Sequence, residues 1–376
     1  MTGTAENANY RGPLAGLRVV EFAGIGPAPF TGMLLRQLGA EVLRIDRPPV
    51  NGHQLLPMDE KFDFLNRDKP VLTLDLKDPE HIELAKEVIA AADILIEGFR
   101  PGVMERLGLG PQDCLSVNPA LIFGRVTGWG QNGPLAQHAG HDINYIALTG
   151  ALNAIGEQNR APVPPLNLVG DFAGGALYLV VGILAALNEL QKTARGQVID
   201  AAMVDGATHL MTFIQGLRQA GLWSLERGSN QPDGGFPFNA VYECSDGQYL
   251  VVAAAEMAFR LNFLARIGLP EEVAKQGDNP RNWPEIKNKI AEILIARPRD
   301  EWAALLDDNN TCVAPVLNMD EASSHPHNVE RELYQKQPDG TLVPAVAPKF
   351  SNGTPTPEQC TAEELLDRWS KRKTDV

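Results

Sequence analysis

Short apolar runs of strand length alternate with helix-patterned segments through the first half of this chain, and that alternation limits the fold more than any single residue does. Leu17-Arg18-Val19-Val20-Glu21-Phe22 reads as a strand, a turn rich in Gly and Pro follows, Thr31 to Leu38 has helical spacing, and Glu41-Val42-Leu43-Arg44-Ile45-Asp46 reads as a second strand. Val71 to Leu74, Ile94 to Ile96 and Leu121 to Val126 continue the strands, with a helix over Pro79 to Ala91. Strands that return through helices to parallel neighbours build an α/β fold. The expected class is therefore a doubly wound, Rossmann-like large domain.

The chain has 376 residues, more than one hydrophobic core usually serves, so a second domain is expected. Gly196 to Ala202 reads as another strand and Val204 to Ala220 as a helix. Arg227 to Pro237 is then crowded with Gly, Pro, Asn and Asp, the composition of a linker. Tyr242 to Ala253 follows as a hairpin turning at Asp246-Gly247, and helices run from Glu256 to Leu306. The expected division is a large α/β domain over 1–228, a smaller α+β domain over 229–327, and a strap over 328–376 that returns to the large domain. Pro344, Pro348, Pro355 and Pro357 suggest that this strap is extended.

Hydrophobic residues at 44% and charged residues at 21% are ordinary globular usage, which sets disorder aside. A net charge of -14 argues against nucleic acid as the main partner, because phosphate binding needs clustered Lys and Arg in a favourable field. Met1 to Asn7 lacks the basic and apolar regions of a signal peptide, so a cytoplasmic protein is expected. The longest apolar stretch, Phe172 to Leu187, is interrupted by Gly174, Gly175 and Gly182 and falls short of the ~20 residues of a membrane span. A buried helix is expected there. Cys114, Cys244, Cys312 and Cys360 are widely separated, which suits neither a zinc site nor a disulfide framework.

The first turn invites a dinucleotide reading, with Gly24-Ile25-Gly26 after a strand and Asp46 ending the next one. The third glycine of that pattern is replaced by Pro29, and Pro27 stands before it. Two prolines remove backbone donors that a phosphate would use, so a nicotinamide or flavin is not expected.

Two acid/base groups stand where helices begin: His141 in Gly140-His141-Asp142-Ile143-Asn144-Tyr145, and Asp171 in Leu168-Val169-Gly170-Asp171-Phe172. A helix start offers unpaired N–H groups and a positive dipole end, suited to developing negative charge. Each residue taken singly also fits a plain capping role. Asp142 reads as an N-cap, and Glu256, placed after an apolar strand, as compensation of a helix dipole. Asp171 lies among Leu168, Val169 and Phe172, and burial of that kind raises a carboxyl pKa and makes it a usable acid or base. Met203, Leu210, Met211, Phe213 and Ile214 either line an adaptable apolar surface or belong to the core.

Longer words carry a resemblance. Gly16 to Glu21, Leu38-Gly39-Ala40-Glu41-Val42, Ile96-Glu97-Gly98-Phe99-Arg100-Pro101-Gly102-Val103, Gly128-Trp129-Gly130-Gln131, Ala139 to Tyr145, Asn167 to Asp171 and Gly196-Gln197-Val198 recur together. On them the chain resembles the family III CoA-transferase superfamily and, within it, the acyl-CoA racemase branch. The resemblance implies that His141 and Asp171 are the two catalytic bases and that Glu256 orients His141. It also implies an interlocked homodimer in which Glu256 comes from the other subunit. Transferases of the family share the aspartate, which attacks the acyl-CoA to form a mixed anhydride, but lack the Gly-His-Asp word. Arg47, Arg100, Arg106 and Lys69 would meet the phosphates or adenine of coenzyme A, with Asp142 and Tyr145 along the pantetheine and thioester. Coenzyme A would enter as part of the substrate, with no further cofactor. Asp68 in Asn66-Arg67-Asp68-Lys69-Pro70 departs from the small or neutral residue of relatives.

Chemistry sets a further requirement on such a site. A thioester α-proton lies on the order of 14 pKa units above an imidazole, or roughly 19 kcal/mol. A turnover of ~10 per second allows a total barrier of only about 16 kcal/mol. The enolate oxygen therefore needs a donor worth several kcal/mol, and the Asp142 backbone N–H is the expected one.

Overall fold

A computed structural model describes residues 10–48, 58–307, 310–355 and 358–372. The N-terminal segment read above for targeting and Pro357 of the tail lie outside the described residues.

The chain divides into two compact units. One takes the chain up to Thr149, Leu166–Met211 and the chain from Gln335; the other takes Gly150–Pro165 and Thr212–Tyr334. The sequence boundary between residues 228 and 229 thus falls inside the second unit, and Gly150–Pro165, expected within the large domain, joins that unit.

In the first unit β1 (Arg18–Phe22), β2 (Glu41–Asp46), β3 (Val71–Thr73), β4 (Ile94–Glu97), β5 (Ile122–Thr127) and β6 (Gln197–Ala202) form one sheet in the order β3-β2-β1-β4-β5-β6. Every pairing is parallel, and Val20 of β1 lies opposite Leu43 of β2 and Leu95 of β4. Both faces of the central strands β1, β2, β4 and β5 are covered, which is why these strands read as almost continuous apolar runs. Val20, Phe22, Leu43, Ile45, Leu95 and Phe123 pack on the Pro79–Ala90 helix. The alternate residues Val19, Val42, Ile94, Ile96 and Ile122 pack under the Pro27–Gln37 and Tyr178–Thr193 helices. Strand order reverses between β1 and β4, and in open α/β sheets the crevice beyond the carboxyl ends of such strands is where ligands bind.

The second unit is α+β. Its β7 (Ala240–Glu243), β8 (Tyr249–Val252) and β9 (Val313–Val316) are antiparallel, and the β7–β8 hairpin contains Asp246-Gly247 with Gly247 at φ 73°. Phe236, Phe238, Leu250, Phe263 and Trp302 fill its core.

Three elements differ from the sequence reading. The helix expected over Val204 to Ala220 breaks into Met203–Leu210 and Thr212–Gln219 where the chain passes from one unit to the other. The apolar stretch is longer than expected: a π-helix over Leu168–Leu177 runs directly into the Tyr178–Thr193 α-helix. By length and composition this 26-residue run is apolar enough to cross a membrane, with mean hydropathy 1.9. Leu179 and Ile183 are nevertheless fully buried beside the sheet. The tail, expected as an extended strap, ends in the Ala362–Arg372 helix, because Leu365 and Trp369 stand four residues apart on one helical face. Both side chains enter the core of the first unit, and Trp369 Nε1 donates to Glu41 Oε2 at 2.8 Å.

Trp369→Ala should lower stability by about 3–5 kcal/mol, the range for truncating a buried aromatic side chain. Urea unfolding followed by circular dichroism measures it, and an unchanged midpoint would remove the tail helix from the stabilising core.

Candidate active site

Beyond β5 the chain passes Gly128-Trp129-Gly130 and reaches His141, which is the N-cap of the Asp142–Leu148 helix. The His141 backbone is extended, its amide donates to Asn144 Oδ1 at 3.0 Å, and its carbonyl accepts from the Asn144 amide at 2.8 Å. The exposed imidazole is thus presented at a helix start. Asp142, expected as the cap of this helix, is its first internal residue and caps a different helix. Its Oδ2 accepts from the amides of Gly170 and Asp171, both at 2.7 Å. A Cβ on Gly170 would lie 2.5 Å from that oxygen, so the contact requires glycine there.

Asp171 sits in the first turn of the π-helix, a wide form common where function needs a side chain re-aimed. Asn167 Nδ2 donates to its Oδ2 at 3.2 Å. The same oxygen lies 2.9 Å from where a Cβ on Gly26 would be, and Gly26 has φ 71°. The Gly24–Gly26 turn therefore faces a carboxylate, and a phosphate placed there would be repelled. Burial pushes the Asp171 carboxyl above its ordinary range; the Asn167 hydrogen bond opposes this, the Asp142 charge adds to it, and His141 lowers it again. His141 and Asp171 are therefore within electrostatic reach of one another, at the carboxyl-end side of the sheet.

The residues expected on coenzyme A separate into two groups. Arg47 lies exposed just past β2, Arg100 is exposed in the turn after β4, and Arg106 is exposed at the end of the short Val103–Arg106 helix. Lys69 and Tyr145 turn inward. The Lys69 side chain is 0% exposed, as is that of Glu21, and Lys69 Nζ donates to Glu21 Oε2 at 2.7 Å and to the Pro29 carbonyl at 2.9 Å. That ammonium has no exposed surface to offer a ligand, which corrects the sequence expectation. The Tyr145 hydroxyl donates to the Gly140 carbonyl, and its ring stands edge-on to Trp129 at 4.8 Å. Burial raises the Tyr145 pKa, and Asp171 adds to the rise while Arg100 opposes it. Tyr145 thus braces the Gly140-His141 turn rather than presenting its hydroxyl outward.

Glu256 belongs to the second unit and is the exposed N-cap of the Met257–Ile267 helix. Arg260 one turn later went unread in the sequence. Its guanidinium donates twice to the Ala255 carbonyl, at 3.0 and 2.8 Å, and to Asp278 Oδ1 at 2.7 Å, while lying over the Phe236 ring. It fixes the backbone on which Glu256 begins. Also unread was Arg125 of β5, paired with Glu97 of β4 and with Glu105 at 2.7 Å each. Glu97 and Arg125 are register partners, so an opposite charge in each of two apolar strands was the available signal. Met203, left open between core and acyl surface, is buried at 6% exposure.

The sequence profile of CoA-transferase family III matches residues 14–361. The chain belongs to that family. It is 42% identical over 344 residues to the α-methylacyl-CoA racemase of Mus musculus, covering 92% of this chain and 88% of the mouse protein. The Homo sapiens protein of the same name is 39% identical over 341 residues, covering 90% of this chain and 87% of the human protein. In structure the chain is similar to a CAIB/BAIF family protein from Brucella suis, with a TM-score of 0.82, 24% identity and coverage of 96% of this chain and all of that one. That likeness establishes the fold.

Lys69→Ala should destabilise the protein by about 3–5 kcal/mol, because it leaves the Glu21 carboxylate buried without its partner. Urea unfolding checks this, and an unaltered midpoint would be the behaviour of a surface lysine.

Proposed function

We propose that the protein is an isomerase, an α-methylacyl-CoA racemase that interconverts (2R)- and (2S)-2-methylacyl-CoA thioesters by 1,1-proton transfer. The observation that carries this reading is the Asp142 carboxylate, which joins the helix start bearing His141 to the helix start bearing Asp171. The identity with the mouse and human racemases agrees with it.

In this mechanism the His141 imidazole removes the C2 proton of one enantiomer, the electron pair moves onto the thioester oxygen, and Asp171 delivers a proton to the opposite face. The roles exchange for the other enantiomer. A donor to the enolate oxygen in a dry site contributes about 3 to 4 kcal/mol, and the Asp142 backbone N–H in the first helical turn supplies it. Arg47, Arg100 and Arg106 hold the phosphates and adenine of coenzyme A, for which the planar guanidinium is suited. Coenzyme A arrives with the substrate, and proton transfer at carbon calls for no other cofactor.

We also propose a homodimer in which Glu256 of the second subunit orients His141. The helical run of the first unit leaves Leu177, Val181 and Leu184 exposed at 45%, 63% and 38%. An exposed apolar face of that kind supports coverage by another chain.

The rival within the family is a CoA-transferase with Asp171 as nucleophile. Burial raises the Asp171 pKa, which suits a group that must both give and take a proton. Incubation of 2-methylacyl-CoA with the protein in D2O, followed by NMR, should show the C2 proton disappear. His141→Ala should slow that exchange at least about 100-fold while leaving CoA binding nearly unchanged. A hydroxylamine-sensitive acyl-enzyme without C2 exchange would overturn the racemase reading in favour of the transferase.

A further inference from the structure

Asp171 is gripped from two sides by groups of opposite electrostatic effect. On its backbone side, Asp142 Oδ2 accepts from the Asp171 amide and from the Gly170 amide. On its side-chain side, Asn167 Nδ2 donates to Asp171 Oδ2. Asp142 is 6% exposed, and its second oxygen, Oδ1, is buried with no hydrogen-bond partner among the described residues. A buried carboxylate oxygen left unpaired is costly, and a neutral Ser could cap a helix amide without a second buried polar atom. Capping alone therefore does not account for an acid at position 142.

We propose that Asp142 and Asn167 are opposed positioning residues that fix the place and the charge state of the Asp171 carboxyl, one by a negative charge held beside it and the other by a hydrogen bond donated to it. The consequence for turnover rests on the racemase reading, in which Asp171 must both donate and accept a proton and so must not be locked in either form. Asp142 favours the protonated acid and Asn167 the carboxylate, so the pair keeps both forms within reach.

Other charged and titratable groups lie on the elements that pack against the π-helix. Tyr145, with His141 at the N-cap, lies on the helix that carries Asp142; Asp205 and His209 lie on Met203–Leu210; Arg36 lies on Pro27–Gln37. The strands beside it bring Arg125 and Asp200, and the continuing helix brings Tyr178, Glu189 and Lys192. Among all of these, His141 and Asp142 act on the Asp171 carboxyl by charge.

The test uses the full chain labelled with 13C at the aspartate carboxyl carbons, with the Asp171 resonance assigned by its loss in Asp171→Asn. Asp142→Asn keeps an oxygen able to accept both amides and removes the negative charge, so Asp171 should titrate at lower pH than in the unaltered protein. Asn167→Ala removes the donor, so Asp171 should titrate at higher pH. The pH profile of C2 exchange should shift in the same opposite senses. Equal displacement in both variants, or none in either, would overturn the inference, because a purely structural cap predicts no opposed pair of shifts. Asn167 is exposed, so Asn167→Ala remains a test by itself if Asp142→Asn fails to fold. Absence of C2 exchange in the unaltered protein would instead defeat the racemase reading and leave the titration to decide this one.

Discussion

The site depends on one carboxylate oxygen. Asp142 Oδ2 accepts two backbone amides, from Gly170 and Asp171, that lie 28 and 29 residues further along the chain. Hydrogen bonds to a charged group contribute about 1.5–3 kcal/mol each, more than a neutral cap supplies. The energy matters less than the constraint. With this link in place, the backbone that carries Asp171 and the helix start that carries His141 cannot move independently. The link also explains two features that propensity alone disfavours, glycine at position 170 and a wide first turn in the helix that follows. Each brings the two amides to a single acceptor.

The position of that link in the fold follows from strand order. Because β1 is flanked by β2 on one side and β4 on the other, the connections that leave β1 and β4 diverge and open a crevice at their carboxyl ends. Gly26 lies in the first of those connections and packs against the Asp171 carboxylate; Arg100 lies in the second and acts on Tyr145. In nucleotide-binding proteins built on open parallel sheets, a phosphate sits in the corresponding crevice. Here a carboxylate from a distant helix stands at the glycine, and Pro27 and Pro29 have removed donors that a phosphate would need. One topology thus serves a different chemistry through a single long-range contact.

What the sequence disclosed and what it hid divide along that same line of range. Strand and helix periodicity depends on neighbours a few residues apart, and the parallel strands were legible from it, most plainly β1, β2, β4 and β5, where burial on both faces makes the apolar runs nearly unbroken. The residues of the site were legible as words but not as directions. Tyr145 and Lys69 stand in segments that resemble coenzyme A contacts, yet one hydroxyl turns back to Gly140 and the other side chain ends at Glu21. Nothing local distinguishes a lysine aimed at solvent from one aimed at a glutamate 48 residues earlier. The capping error at Asp142 has the same origin, since an acid at a helix start reads as the cap of its own helix whichever helix it serves. Arg260 went unread because its value lies in the Ala255 carbonyl it holds, and backbone acceptors leave no trace in composition.

The buried pair of Glu21 and Lys69 shows how such hidden contacts support the visible ones. Removing two charges from water is expensive, and burial acts on both, raising the Glu21 pKa and lowering that of Lys69. Stability is therefore a poor explanation for keeping them. Their geometry offers a better one. Lys69 Nζ also donates to the carbonyl of Pro29, in the first turn of the helix that follows Gly26, and a Cβ on Gly32 of that helix would lie 1.7 Å from Glu21 Oε2. The pair thus ties the opening of this helix to the middle of the sheet and leaves no space between them. Gly26 stands one residue before that helix, so an anchored first turn is also what holds Gly26 against Asp171. A pair of apolar residues could fill the same volume, but it could not donate to the Pro29 carbonyl and so would not hold the helix opening to the sheet in the same way.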